Sequence, residues 1–349
     1  MVDKNYCMSS YLALRYIEDD DKDFFEGIHH QTIAQIPDAQ RRLVSNAEEI
    51  DQAIAEQFAR MSGEKLGIML SGGMDSAILA SYMEGCDAYT FRFQGGAYQR
   101  GELERAEFYA RRYNLKLHYV DINWENTVEQ NLEPLLRAKA APVHSIEPQI
   151  MQAAIQAKKD GVTTMVIGES SDLIFGGMNQ LLDQDWSIED FMRRYIFLQP
   201  ADVLTEPVDM RYLFERYRSN GDRINFLQFM DEIFSVESSS SYYNAFCTAE
   251  MPYLDPYAVL KMAEPLDLLR VRRGEPKYLI RELFTKKYSD ILIPQKIPMP
   301  RPVDFYFKDW KGPKRDGLLP NLDMNRFSGN QKWQLFCLEY FLNMMEQSI

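Results

Sequence analysis

The sequence predicts an α/β protein: a doubly wound parallel sheet with a mainly helical C-terminal part. Three observations carry this. Between residues 66 and 168, short apolar runs alternate with segments of helical length, as in parallel strands joined by crossover helices. Two of those runs end in glycine-flanked turns that bear acids, at 71–76 and 168–177. Beyond about residue 186 the strand pattern gives way to Tyr-, Phe- and Met-rich stretches, which read as helix packing.

In order along the chain, Asp38 is expected to cap a long helix through Val44, Ala47, Ile50, Ile54 and Phe58, ending near Gly63. Residues 66–70 read as a buried strand and 76–84 as a helix. A second strand is expected over 88–94, a helix over 103–113, and a third strand over 115–122. A helix across about 147–160 then leads to a fourth strand over 163–168. No fixed-period repeat occurs, and the run of four serines at 238–241 is the sole low-complexity feature.

Composition narrows the function. The 39 basic residues are outnumbered by 52 acidic ones, a net charge of −13, which argues against broad, salt-driven binding to a nucleic-acid backbone. Four scattered cysteines with no CxxC, and four histidines, give neither a disulfide framework nor zinc-ligand spacing. The N-terminus has no basic region followed by an apolar core, and no apolar run approaches the roughly 20 residues that span a bilayer. A soluble, cytoplasmic protein with no membrane or nucleic-acid partner is expected.

The two acid-bearing turns carry the chemistry. In an open parallel sheet ligands bind at the carboxyl ends of the strands. In "SGGMDS", Gly72 and Gly73 let the backbone approach an anion, the following helix start offers N–H groups, and Ser71 and Ser76 offer hydroxyls. Asp75 would repel a bare phosphate, so its presence makes sense with Mg²⁺ between carboxylate and phosphate oxygens. The loop is neither G-x-x-x-x-G-K-[ST] nor G-x-G-x-x-G. The second turn, "GESSDLIFGG", begins at Gly168 and adds Glu169 and Asp172 at the same sheet edge. Leu70, Phe91 and Arg92 are expected to frame the adenine and ribose of a nucleotide, plain core packing being the alternative. Lys277 and Arg281, one helical turn apart, either face the phosphates or form a solvated, salt-bridged face. His118 reads as a satisfied structural histidine.

"SGGMDS" resembles the pyrophosphate loop of the N-type ATP pyrophosphatases, and "GESSDLIFGG" is similar to the GEGSDELFGG segment of their asparagine synthetase branch. Its closing "GGM" also resembles the β-lactam synthetase variant. "AEMPYLDP" (249–256) and "GEPKYLIRELF" with "ILIPQKIPMP" (274–300) resemble two further segments of that branch, so the likeness runs from about residue 6 to about 310. It implies a synthetase domain over 63–310, preceded by an N-terminal segment and linker helix (1–62) and followed by a helical tail (311–349). "YLALRYIEDDDKDFFEGI" resembles the stretch that joins the family's glutaminase domain to its synthetase domain. Cys7 does not have the place of that domain's N-terminal nucleophile. A free-standing synthetase domain is expected, supplied with free ammonia, an amine, or ammonia from a separate glutaminase.

The resemblance implies ATP and Mg²⁺ as cofactors and a small-molecule carboxylate as substrate. The carboxylate is adenylated with release of pyrophosphate, and a nitrogen nucleophile then displaces AMP. It implies that Ser71, Gly72, Gly73 and Ser76 hold the pyrophosphate, with Gly168 and Lys277 also at the nucleotide. Asp75 and Asp172 bind Mg²⁺, Glu169 takes the proton of the attacking nitrogen, and Lys296 stabilises the transition state. Departures from the family pattern are Thr248 and Glu250, Ala140-Ala141-Pro142, Ser170, and Pro294. They point to a substrate other than aspartate. An intramolecular cyclase of the β-lactam synthetase kind, a sulfur-transfer or tRNA-modifying relative, and a non-catalytic homologue are the alternatives.

Overall fold

The computed structural model describes residues 1–93, 97–295, 299 and 301–347. Its centre is a five-stranded parallel sheet built from β2 (Leu66–Met69), β3 (Asp87–Arg92), β4 (Lys116–Asp121), β5 (Thr164–Val166) and β6 (Tyr253–Leu254), in the order β4-β3-β2-β5-β6. β2 and β5 are therefore the two strands between which the winding reverses. The loops after them open onto one crevice, where ligands bind in such sheets.

The strands bury apolar residues against helices on both faces of the sheet. Ile68, Ala88, Val120 and Val166 are fully buried. Gly67 is required by close approach: a Cβ there would lie 3.0 Å from both Met165 and Val162. The crossovers α3 (Met74–Ala80) and α4 (Ala97–Arg112) carry the chain one way along the sheet, and α5 (Leu132–Lys139) with α6 (Glu147–Lys159) carries it back. Right-handed crossovers place the two sets on opposite faces. The helix Tyr278–Lys287 packs on α3, and Ser235–Thr248 packs on α5 and α6, so each layer is completed by a helix from the C-terminal half.

The strand and helix alternation over 66–168 holds. The helix expected from Asp38 does not: Asp38–Gln40 is a single tight turn, and β1 (Arg42–Val44) is a strand paired in parallel with β7 (Leu260–Met262). The helix α2 (Ala47–Arg60) starts behind Asn46, whose side chain accepts the Glu49 N–H at 2.9 Å. Asn46 is the stronger cap because it sits immediately before the amphipathic run. Val44 matched the helical period while belonging to a strand too short to show one of its own. β6 and β7 escaped notice for the same reason.

The first helix, α1 (Lys4–Leu14), is buried along nearly its whole length. It lies against the last helix, Gly329–Glu346: Gln334 donates to the Leu12 carbonyl (3.1 Å), and Tyr11 and Trp333 both donate to the Val143 carbonyl (3.1 Å each). All four cysteines are free thiols, and no helix of the described residues is long and apolar enough to cross a membrane.

Candidate active site

The two turns meet on the floor of a cleft of about 750 Å³. After β2 the chain turns through Ser71–Gly73 into α3. Ser71 and Ser76 hydroxyls lie 2.9 Å apart, the Ser71 N–H reaches Ser76 Oγ at 3.1 Å, and the Gly73 N–H reaches Ser71 Oγ at 3.1 Å. This knot of donors holds the loop ready for an anion's oxygens. Gly72 faces the other way. Its N–H donates to Glu102 (2.7 Å) and its carbonyl accepts from Arg105 (3.0 Å), so it braces the loop against α4. A Cβ on Gly72 would lie 2.8 Å from the Glu102 carboxylate. The Glu102–Arg105 brace is invisible in the sequence, where both look like ordinary helix charges.

Asp75 and Asp172 are drawn together by Lys277. Its ammonium donates to Oδ1 of Asp75 and, at 2.9 Å, to Oδ1 of Asp172; Ser171 Oγ also donates to Asp75 at 2.6 Å. Lys277 is only 4% exposed. Burial pushes its pKa down, but the two carboxylates hold it above the ordinary lysine value. Its backbone is left-handed, with φ of 55°, a conformation lysine pays for unless the surroundings fix it. Gly177 closes the turn under this pair: a Cβ there would lie 2.0 Å from Asp172 Oδ1. The last glycine of "GESSDLIFGG" is therefore a steric requirement of the ion cluster, whereas Gly176 before it has a positive φ of 79° and packs against Leu266.

Glu169 has the opposite surroundings. Burial pushes its pKa up to about 8, helped by the nearby charges of Asp255 and then Asp172 and Glu237, while a hydrogen bond from Ser238 pulls it down. Asp255 is itself raised to about 6 by burial, against hydrogen bonds from the Ser170 N–H (2.8 Å) and the Tyr257 N–H (3.1 Å). Asp255 ends the "PYLD" segment and Ser238 opens the four-serine run. The first could have been found from its motif, whereas nothing in a serine run points to a carboxylate partner.

Leu70, Ser71, Gly73, Asp75, Ser76, Phe91, Gly168, Glu169, Asp172 and Lys277 line the cleft, and so does Arg281. Gly72 and Arg92 do not. Arg92 turns outward into a bidentate pair with Asp121 (2.6 and 2.8 Å) and lies over the Tyr119 ring, so it cannot frame a ribose. Lys296 lies outside the described residues; Gln295 and Met299, which flank it, line the cleft. His118 is held by Asp87 (2.7 Å) and stacks on Tyr89; Tyr89 lines the cleft and His118 does not. Of the departures from the family pattern, Pro294 lines the cleft, while Glu250 is exposed and paired with Lys158 at 2.8 Å.

Asp75 and Asp172 already converge on a cation, and two hard-oxygen carboxylates beside a phosphate pocket are the donors Mg²⁺ takes when phosphates and water complete its shell. No group of three or more His, Cys, Asp or Glu suited to a metal exists among the described residues, so a metal here would be shared with a ligand's oxygens.

No curated protein matches the sequence. Among solved structures, distant likenesses include the U34-tRNA thiolase NcsA from Methanococcus maripaludis with its 4Fe-4S cluster (13% identity over 72% of this chain and 82% of that one, TM-score 0.30). Another is NMN synthetase from Francisella tularensis (9%, 72% and 97%, TM-score 0.27). A third is NH₃-dependent NAD synthetase from Campylobacter jejuni subsp. jejuni (12%, 73% and 100%, TM-score 0.25). Superpositions this loose carry no chemistry across. The model of the asparagine synthase family, in contrast, matches residues 46–314, a span that contains both turns, the Asp75–Lys277–Asp172 cluster and Glu169. With that match over most of its length, the chain belongs to the asparagine synthase family of ATP-using ligases and synthetases.

Proposed function

We propose that the protein is an amide ligase that adenylates a substrate carboxylate with ATP, releasing pyrophosphate, and then transfers ammonia or an amine to it with release of AMP. One observation carries the reading. Acids from the turns after β2 and β5 share one ammonium on the cleft floor, while a third acid on the same cleft is kept protonated up to about pH 8.

The roles follow from charge. Ser71, Ser76 and the Gly73 N–H bind the leaving pyrophosphate, and Lys277 adds a positive charge to it. Asp75 and Asp172 would hold Mg²⁺, which when bound offsets phosphate charge. The substrate carboxylate attacks the α-phosphorus and the bond to the β-phosphate oxygen breaks. The nitrogen lone pair then forms the C–N bond, the acyl C–O bond breaks with its pair leaving on AMP, and Glu169 takes the nitrogen's proton. A carboxylate with a pKa near the working pH is a competent base for that transfer. Away from the phosphate loop the lining includes the large apolar side chains Ile146, Phe234 and Met299 together with Tyr242 and Arg301, a cation that can face a substrate carboxylate. This wall and Pro294 support a different acid.

The test is pyrophosphate and AMP release from Mg-ATP across a panel of carboxylic acids, each with and without ammonium. Both products with one acid are expected. Nitrogen-independent turnover would indicate cyclisation, and ADP with phosphate would refute the reading.

A further inference from the structure

Arg281 lines the cleft from the helix Tyr278–Lys287. Its N–H donates to the Lys277 carbonyl (2.8 Å), so the two cations stand one helical turn apart. Helical side chains lean toward the N-terminal end of their helix, which brings a long arginine back toward Lys277 and the cleft. The helix is fixed in this place. It packs on α3, Lys277 grips Asp75 in the first turn of α3, and Tyr288 donates to the Ala77 carbonyl at 2.6 Å.

Two observations separate the Arg281 guanidinium from an ordinary surface charge. The salt-bridged face that the sequence allowed belongs to Arg270, which takes both Glu275 (2.5 Å) and Glu282 (3.0 Å). The guanidinium of Arg281 has no ion pair or hydrogen bond among the described residues, and none of its nitrogens is a buried orphan, so its donors are accessible. Lys277 is in the opposite position. Its one ammonium is shared between the carboxylates of Asp75 and Asp172, and that trio is net negative. A triphosphate entering there needs a cation that is not yet committed. A planar fork of N–H donors suits two phosphate oxygens at once.

We propose that Arg281 reads the terminal phosphate of the nucleotide and makes the site selective for a triphosphate over a diphosphate. The terminal phosphate is the match because it carries the most negative charge and leaves three oxygens unbridged. Arg281 is thus a specificity-determining residue and takes no part in amide formation. The proposal rests on the nucleotide half of the ligase reading, with pyrophosphate on the Ser71–Ser76 loop.

The test is isothermal titration calorimetry of Mg-ATP and Mg-ADP into the parent, Arg281→Gln and Arg281→Lys, with no acid substrate present. The parent is expected to bind ATP at least about tenfold more tightly than ADP, the scale of one charged hydrogen-bonded contact. Arg281→Gln is expected to erase that preference by weakening ATP about tenfold while ADP stays within about twofold, which also shows an intact site. Arg281→Lys keeps the charge without the fork and is expected to fall between. A parent without the preference, ATP affinity unchanged in Arg281→Gln, or equal loss of ATP and ADP in both variants would overturn the proposal. Its failure is separable from that of the ligase reading. Absence of AMP formation with every acid defeats the latter and leaves the ATP-to-ADP comparison standing, whereas AMP formation by a parent whose ATP affinity does not depend on Arg281 defeats only the role of Arg281.

Discussion

Asp172 and Glu169 stand three residues apart on one turn, line one cleft, and have opposite electrostatic surroundings. Asp172 meets the Lys277 ammonium at 2.9 Å, whereas Glu169 is buried among Asp255, Asp172 and Glu237, with the Ser238 hydroxyl pulling its pKa back. Partners, and not residue type, make one an ion-holding carboxylate and the other a proton acceptor.

The comparison breaks most severely if Lys277 is removed. Lys277→Met leaves two acids facing each other without their cation and is expected to cost about 3 kcal/mol in urea unfolding. Mg²⁺ is expected to raise the melting temperature of this variant more than that of the parent, because a second cation can take the ammonium's place. Equal Mg²⁺ shifts would dissociate the two acids from metal binding.

Next in size, Glu169→Gln is expected to lower amide formation roughly 10³-fold, the scale of a lost general base. It also has a stability signature. The folded Glu169 keeps its proton up to about pH 8, whereas the unfolded chain loses it near the ordinary 4.5. The folded state thus holds more protons across that window, and stability falls as pH rises through it. Glu169→Gln removes this decline and is expected to stabilise the protein at pH 8 by on the order of 2 kcal/mol, measured against the parent at pH 5 and pH 8.

A smaller effect is expected from Gly177→Ala, whose Cβ would strike Asp172. Displacement of that one carboxylate should slow pyrophosphate formation about tenfold, on the scale of one weakened contact. The smallest change sharpens the contrast: the amide-forming step rises with pH up to about 8, and Ser238→Ala, which removes the hydroxyl that lowers the Glu169 pKa, moves that limb to higher pH. A limb that stays in place would mean another group titrates there.

Much of this arrangement was legible beforehand. The strand–helix alternation over 66–168 reported the sheet because those strands are four to six residues long with apolar residues among them, or flanked by clear turns. The two acid-bearing turns announced the site, since glycine, serine and aspartate at a strand end have few other uses. What stayed hidden has a common physical cause. β1, β6 and β7 have two or three residues each and show no period. Arg92 had a residue type that suits a ribose, but its nearest acid, Asp121, lies on the neighbouring strand in register with it. Glu102, Ser238 and Asp255 act through contacts between residues far apart in sequence, which no local pattern encodes.

The most direct test of the account is pyrophosphate–ATP exchange, run with the acid that supports turnover, in Glu169→Gln and Asp172→Asn side by side. Exchange reads adenylation alone. The account predicts that Glu169→Gln still exchanges while making no amide, and that Asp172→Asn loses both by at least about 100-fold. Equal loss of exchange in the two variants would contradict it, because the two acids would then serve the same step.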